Sequence, residues 1–277
     1  MKIIFIGTSS GAGKTTISAL YCRYLYRKGI KVTPFKASNL SLNSYVTKNG
    51  KEIGMGQAFQ AWASNIEPTE DMNPVLLKPS GNNTIQLILR GEPFMDISEQ
   101  NPIDTKMVME KVCESFDRLS KEYDAVVCEG SGSPVELNLM DRDLANLRML
   151  RERSIPAILI GDIERGGVFA AIYGTWRLIP DKQKHLLKGF IINRFRGDSS
   201  ILKSGIEKIE KLTGMKCLGV MPYLNLKFPE EDSMSDIGGE LKGSDVRSAF
   251  MNNLDCLIEA ATENGLDLDH INMIAKN

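Results

Sequence analysis

The stretch IIFIGTSSGAGKTT, at residues 3–16, decides how this chain folds. Its short apolar run ends at Gly7, a loop of small residues follows, and GKTT at 13–16 leads into residues 17–28, whose apolar side chains have helical spacing. Glycines let backbone N–H groups point at a polyphosphate, and the N-terminus of a helix adds its partial positive charge. The stretch therefore predicts a strand, a phosphate-binding loop and a helix, in that order.

The predicted loop indicates a site for ATP and Mg²⁺. We expect Lys14 to contact the β- and γ-phosphates and the Thr15 hydroxyl to bind Mg²⁺. Because the first glycine is Gly7 rather than residue 8, the loop is one residue longer than the common pattern G-x-x-x-x-G-K-[ST]. The predicted nucleotide contacts in this loop are Gly11, Ala12, Gly13, Lys14, Thr15 and Thr16.

The composition is that of an ordinary globular protein. The chain has 277 residues, enough for one large or two small domains, with 42% hydrophobic and 25% charged residues. A net charge of −1 provides no general attraction to nucleic acid or to a membrane surface. The five cysteines form no C-x-x-C pair and there are two histidines, so neither a zinc site, a disulfide framework nor a histidine-based triad is indicated. We therefore expect a cytoplasmic enzyme without nucleic-acid or membrane partners.

Further along the chain, predicted strands alternate with predicted helices. This alternation is typical of an α/β fold, here of the P-loop type, in which a mostly parallel sheet carries helices on both faces and binds ligands at the carboxyl ends of its strands. We expect a strand at 86–89 to lie at a sheet edge, before a turn at 91–93. The other predicted elements are strands at 31–36, 123–129, 154–162, 187–192 and 217–223, and helices at 107–119, at 202–212 and within 244–277.

Two acidic residues are candidate ligands for Mg²⁺. Glu129 ends a predicted apolar strand, and an acid at that place in a phosphate-loop protein commonly supplies the second anchor for the ion. The alternative is that Glu129 caps the turn that follows the strand. Asp71, in a proline-bounded loop, is a weaker candidate.

Several blocks of the sequence resemble the cobyric acid synthase family. PFKASNLSLNS at 34–44 resembles the family block PFKAQNMSLNS, with serine and leucine as the two substitutions. The other blocks are DMNPVLLKP at 71–79, EGSGSP at 129–134, VELNLMDRDLAN at 135–146, ERGGVFA at 164–170 and GFIINRFRGD at 189–198. The phosphate loop is also similar to that of dethiobiotin synthetase and of the cobyrinic acid amide synthetases, which belong to the same superfamily. The resemblance covers roughly residues 1–235.

The resemblance implies an ATP-dependent carbon–nitrogen ligase of cobalamin biosynthesis. Members of the family amidate side-chain carboxylates of a corrin, converting adenosylcobyrinic acid a,c-diamide to adenosylcobyric acid, and we expect an acyl phosphate on the way. By resemblance, Lys14 and Lys36 are catalytic, Asn193 binds the adenine edge, and the segment ending at Pro222 lies beside the adenine. The implied substrate contacts are Lys36, Asn39, Ser41, Asn43 and Ser44.

We predict an amide synthetase domain at residues 1–235 and a helical tail at 236–277. The family also carries a glutamine-hydrolysing domain, in which a cysteine in a glycine-rich turn is the nucleophile and a histidine is the base. Cys256 has a helical context without glycines, and His270 follows it closely, so we expect no glutaminase here. Ammonia would then come from a separate glutaminase subunit, from solution, or from a domain lost by truncation. A homodimer is left open.

Three alternative functions remain. A dethiobiotin synthetase-like ligase would share the phosphate loop but would lack the block at 34–44. A partition-type ATPase switch would carry an additional lysine early in the loop, and residues 8–12 contain none. A regulatory or scaffold subunit of a split amidotransferase would not need Lys14 for ATP turnover.

Overall fold

A computed structural model describes residues 1–81, 84–224 and 245–277. The strands of this part are β1 (Lys2–Gly7), β2 (Val32–Phe35), β3 (Ser38–Leu40), β4 (Ser44–Val46), β5 (Glu52–Gly54), β6 (Val75–Gly81), β7 (Thr84–Leu89), β8 (Glu92–Ile97), β9 (Ala125–Glu129), β10 (Ala157–Asp162), β11 (Leu187–Phe195) and β12 (Lys216–Pro222). The α-helices are α1 (Lys14–Arg27), α2 (Met55–Ala63), α3 (Thr105–Glu122), α4 (Leu147–Arg153), α5 (Val168–Leu178), α6 (Asp181–Lys184), α7 (Lys203–Thr213), α8 (Val246–Glu263) and α9 (Leu268–Lys276).

The central sheet contains six parallel strands in the order β12-β11-β10-β1-β9-β2. Strand β1 lies between β10 and β9, with Ile4 opposite Ala157 on one side and Phe5 opposite Glu129 on the other. Parallel strands end at the same edge of a sheet, so the loops after β1, β2, β9 and β11 come together there. This arrangement confirms the predicted α/β fold with a mostly parallel sheet.

Helices cover both faces of this sheet, as predicted. Successive side chains of a strand point to opposite faces, and in β1 Ile4 and Ile6 join one buried cluster while Ile3 and Phe5 join another. Apolar residues of α3, α4, α5 and α7 complete the first cluster, and those of α1, α2, α8 and α9 complete the second. A strand buried on both faces is typical of parallel sheets, which explains the unbroken apolar run of β1.

A second, four-stranded sheet has the order β3-β6-β7-β8 and was not predicted. The prediction that residues 86–89 form an edge strand is wrong, because β7 pairs with β6 on one side and with β8 on the other. Arg90 and Gly91 have φ angles of 48° and 77° and form a tight turn that sends the chain straight back as β8. Pro93 lies in β8, an edge strand of this sheet, where the missing N–H is tolerated.

The C-terminal helices pack on the helix of the phosphate loop. Arg23 of α1 donates two hydrogen bonds to Asp255, of 2.9 and 2.7 Å. Tyr21 donates to Asn272 at 2.9 Å, and Leu254 is completely buried in the same cluster. The end of the chain forms α8 and α9, while the predicted boundary at residue 235 lies outside the described residues, so the division into domain and tail stays a prediction.

All five cysteines of the chain are free thiols. Burial raises the pKa of the Cys22 thiol to about 12, and it raises the pKa of Cys128 further still. Within the described ranges, we find no helix that combines the length and the apolar character needed to span a membrane.

Candidate active site

The phosphate loop connects β1 to α1 and is held from two sides. Gly13 has a φ angle of 96°, and a Cβ at this position would lie 2.1 Å from the amide nitrogen of Asn193, so only glycine fits. Asn193 Nδ2 donates to the carbonyl of Ala12 at 2.9 Å. Lys14 folds over the loop and donates to the carbonyl of Ser9 at 2.9 Å. This conformation is suited to the phosphates of a nucleotide, because an ammonium group and the N-terminus of a 14-residue helix meet there.

Glu129, at the end of β9, is the centre of a buried network of side chains. Its Oε1 atom accepts hydrogen bonds from the Thr15 hydroxyl, at 2.9 Å, and from the Lys36 ammonium, at 3.0 Å. Its Oε2 atom accepts from Gln60 Nε2 at 2.5 Å. Glu129 is 1% exposed, and Lys36 is 3% exposed. These contacts follow from the strand order, because β9 lies between β1 and β2 and so brings the ends of all three strands together.

The Thr15–Glu129 pair fits a Mg²⁺ ion. Mg²⁺ prefers hard oxygen ligands, keeps several waters and binds nucleotides through one or two protein oxygens together with phosphates. A hydroxyl and a carboxylate oxygen lie 2.9 Å apart beside the phosphate loop. The buried Oε1 atom of Gln60 has no hydrogen-bond partner within the described part of the chain. The network therefore contains one acceptor that can receive a hydrogen bond from a bound group.

Asp71, the weaker candidate ligand, contacts α3 in the structure, and its role as a Mg²⁺ ligand stays a prediction. Arg118 donates to both carboxylate oxygens of Asp71, at 2.8 and 2.6 Å, and Ser115 donates to one of them at 2.8 Å. Asp71 therefore holds its short 3-10 turn against α3, and its oxygens are already in use.

We predict that Asp71→Asn lowers the free energy of unfolding by about 1–3 kcal/mol at neutral pH. This value lies between those typical of exposed and of buried ion pairs, because the Arg118 side chain is 41% exposed. Burial acts to raise the pKa of Asp71, but Arg118, Ser115 and Arg90 outweigh it and hold the pKa below its usual value. A lowered folded-state pKa contributes stability above the unfolded-state value of about 3.9, and this contribution is lost as the pH falls through the folded-state pKa.

Urea unfolding of Asp71→Asn and of the parent protein should therefore differ at pH 7, begin to converge below about pH 4, and coincide only when the pH is below the lowered folded-state pKa of Asp71. Glu114→Gln is the matched control, because it breaks a contact between Lys111 and Glu114 on the exposed side of the same helix. This control should leave the unfolding midpoint nearly unchanged. A raised Mg²⁺ requirement in Asp71→Asn, without a loss of stability, would contradict the structural role.

The five predicted substrate residues lie on the segment after β2, at the carboxyl edge of the sheet. The Ser41 hydroxyl closes this segment on itself, donating to the Asn43 carbonyl at 3.2 Å and accepting from the Asn43 N–H at 3.0 Å. Asn39 and Ser41 are buried, whereas Asn43 and Ser44 are partly exposed. The substrate role of these residues stays a prediction, and Asn43 and Ser44 are the more accessible pair.

Asn193 and Pro222, the predicted adenine contacts, lie at the ends of the neighbouring strands β11 and β12. Both functions of the Asn193 amide are already used in this conformation, since its oxygen accepts from the N–H of Arg194 at 2.9 Å and its nitrogen holds the phosphate loop. Beside them, the Arg196 guanidinium lies 3.2 Å from the centre of the Tyr223 ring. Adenine binding at this edge remains a prediction.

Two residues of the site were missed at the level of sequence. Gln60 lies in α2, where alanines and glycine indicate only close packing. Asn146 donates to the carbonyl of Ser131 at 2.7 Å, and a Cβ on Gly130 would lie 2.2 Å from its oxygen, so Asn146 shapes the turn after Glu129. Polar residues within an otherwise small and apolar helix were the one signal that could have identified Gln60.

A phosphate loop at the carboxyl edge of a parallel sheet, with a lysine folded over it and a threonine–glutamate pair beside it, defines a P-loop nucleotide-binding domain. The chain belongs to the CbiA family, the CobQ/CobB/MinD/ParA nucleotide binding domain, whose model matches residues 3–233.

Curated relatives are similar over most of this chain. It is 50% identical over 236 residues to a probable cobyric acid synthase of Methanoregula boonei, covering 85% of this chain and 49% of the relative. It is 51% identical over 231 residues to a probable cobyric acid synthase of Archaeoglobus fulgidus, covering 83% and 50%, respectively. The chain thus spans about half the length of the curated relatives it matches.

Among solved structures, the MinC:MinD cell division protein complex of Aquifex aeolicus contains a similar chain. The TM-score is 0.51 with 17% sequence identity, and the match covers 98% of this chain and 95% of the other. At this identity the likeness concerns the fold alone.

Proposed function

We propose that this chain is the ATP-dependent amide synthetase part of a cobyric acid synthase. Its substrate would be adenosylcobyrinic acid a,c-diamide, and its product would be adenosylcobyric acid. The observation that carries the proposal is the buried contact of Thr15 and Lys36 with one oxygen of Glu129, beside the phosphate loop. The two relatives described above, each named as a probable cobyric acid synthase, support the choice of substrate.

The phosphates of ATP would bind to the N–H groups of the phosphate loop and to Lys14. Thr15 and Glu129 would hold Mg²⁺, which when bound offsets the negative charge of the phosphates. Lys36 would hold the substrate carboxylate, or the γ-phosphate, in line for transfer. These groups bring three anions together (carboxylate, phosphate and Glu129), and the two lysines supply the compensating charge.

The proposed reaction has two steps. An oxygen of the substrate carboxylate attacks the γ-phosphorus, the bond to the bridging oxygen of ATP breaks, and ADP leaves as an acyl phosphate forms. The nitrogen of ammonia then attacks the acyl carbon, the bond from carbon to the phosphate oxygen breaks, and the nitrogen loses a proton as inorganic phosphate leaves. Lys14 and Lys36 would stabilise the charge that develops on the transferred group in the first step.

Lys36 would exchange its contact with Glu129 for a contact with the substrate during this reaction. Its ammonium shares Glu129 Oε1 with the Thr15 hydroxyl. A divalent cation bound to Thr15 and Glu129 would repel the lysine and would compete for the same oxygen. We expect the lysine then to turn to the anion of the substrate, so that ordered binding, nucleotide before substrate, is favoured.

The source of ammonia belongs to the proposal as well. Cys256 lies within α8 and lacks the sharp turn that a nucleophilic cysteine of a glutaminase requires. We propose that a separate glutaminase part supplies ammonia, with free ammonium as the laboratory substitute.

The test is amidation of adenosylcobyrinic acid a,c-diamide with ATP and Mg²⁺, followed by mass spectrometry, with ammonium and glutamine in parallel reactions. We expect product with ammonium and none with glutamine. The proposal would be overturned if no product formed in either reaction and if ATP turnover were stimulated by DNA or lipid vesicles but not by the corrinoid. That result would favour a partition-type switch.

A further inference from the structure

Two glutamines are completely buried in α2, a helix that otherwise packs through small and aromatic residues. Gln57 and Gln60 are both 0% exposed, and Ala58, Phe59 and Ala61 are buried around them. A buried amide costs free energy unless its hydrogen-bonding groups are satisfied. The two glutamines differ in this respect: neither polar atom of Gln57 has a partner in the described residues, whereas Gln60 donates to Glu129.

Gln60 forms a hydrogen bond with one of the two carboxylate oxygens of Glu129 and leaves the other to different partners. Its Nε2 atom donates to Oε2 at 2.5 Å and lies 3.4 Å from the carbonyl oxygen of Thr15. Oε1 is left to Thr15 and Lys36, the groups that would face the nucleotide and the substrate. The glutamine thereby sets the rotation of the carboxylate, so that one particular oxygen is directed to the phosphate loop.

A neutral donor suits this position better than a cation. A lysine or arginine at residue 60 would form a second ion pair and would compete with a metal ion for the charge of Glu129. The amide holds the carboxylate through a charge-assisted hydrogen bond while leaving its negative charge in place.

The second amide atom of Gln60 points to a ligand that the described residues do not supply. Gln60 Oε1 is buried and has no partner among the residues described. The amide cannot be turned over, because its oxygen would then face Glu129 Oε2 at 2.5 Å, and both atoms are acceptors. A buried acceptor is stabilised by a donor, and because Gln60 contacts the proposed Mg²⁺ ligand Glu129, a water molecule on that ion is such a donor.

We propose that Gln60 is a positioning residue for the Mg²⁺ site, which orients Glu129 through Nε2 and accepts a hydrogen bond from a metal-bound water through Oε1. The inference rests on the proposed use of a Mg²⁺–nucleotide complex, and it does not depend on the corrinoid substrate or on amidation. Residues that orient a metal ligand commonly change metal affinity by about 10- to 100-fold when they are replaced.

The experiment compares Gln60→Met with Gln57→Met. Both variants replace a buried amide of α2 by an apolar side chain of similar length. The second serves as a matched control because Gln57 has no hydrogen-bond partner among the residues that the structure describes. Binding of a fluorescent ATP analogue is titrated in EDTA and over a series of Mg²⁺ concentrations. Thermal unfolding establishes that both variants are folded.

We expect Gln60→Met to bind the analogue in EDTA as the parent protein does and to need about 10-fold more Mg²⁺ for half-saturation. Gln57→Met should match the parent in both respects. If the parent protein depends on Mg²⁺ and the two variants need equal Mg²⁺ concentrations, the role of Gln60 is overturned and the proposed function is not. A parent protein that does not bind the analogue, with or without Mg²⁺, would overturn the proposed function together with it.

Discussion

Replacing Lys14 with alanine should lower ATP turnover by about 100- to 1,000-fold, the range seen when one preorganised charge-stabilising group is removed. The Lys14 side chain is 6% exposed and is already folded over the loop by its contact with the Ser9 carbonyl. Little rearrangement is therefore needed for the ammonium to contact the phosphates. Its loss removes a charge that both the bound nucleotide and the transferred phosphoryl group require, so ATP affinity should fall as well.

Phosphate release and calorimetric titration of ATP measure the two effects of Lys14→Ala. Lys28→Ala is the matched control, because Lys28 follows the same helix at its other end, where it is exposed and far from the loop. The control should keep the turnover of the parent protein. Unchanged turnover in Lys14→Ala would favour a regulatory or scaffold subunit over a ligase.

Replacing Lys36 with alanine should lower the rate of amidation by about 100- to 1,000-fold, while ATP binding is retained. The physical reason is that the lysine is expected to hold the carboxylate or the γ-phosphate during transfer, whereas the nucleotide has its own contacts in the phosphate loop. Mass spectrometry of the corrinoid product measures the first quantity, and calorimetry with ATP measures the second.

The Lys36 variant needs a control for stability. Removal of one partner from a buried ion pair costs about 3–5 kcal/mol, and among the described residues Glu129 would keep its neutral donors, Thr15 and Gln60. Lys36→Arg retains the charge but replaces the compact ammonium by a larger planar group, so it should restore stability without restoring full amidation. Equal loss of ATP binding and of amidation in Lys36→Ala, in folded protein, would mean that the lysine serves the nucleotide or the fold instead.

The phosphate loop and the strands of the central sheet were predictable from local sequence. The run before Gly7 is short, apolar and followed by a glycine-rich turn, and the order of such a strand, loop and helix is local information. The same holds for the acid at the end of an apolar strand, since Glu129 lies where the pattern of β9 predicts a strand end.

Other features could not be predicted because they depend on which strands become neighbours. The segment at 86–89 has the same pattern at an edge as in the interior of a sheet, and its place between β6 and β8 is decided by a turn with two positive φ angles. Asp71 is a candidate ligand because it is an acid in a loop. Its partners, Arg118 and Ser115, lie more than 40 residues further along the chain on α3.

Local sequence was enough to determine the class of fold and the chemistry of the phosphate loop, because a strand, a glycine turn and a helix start each depend on residues that are close in the chain. The partners of the buried charges were decided by tertiary structure. Glu129 contacts Thr15, Lys36 and Gln60, which come from three separate segments of the chain, because β9 lies between β1 and β2 and α2 packs beside them. A buried carboxylate must find donors wherever the strand order places them, and strand order is a property of the whole sheet.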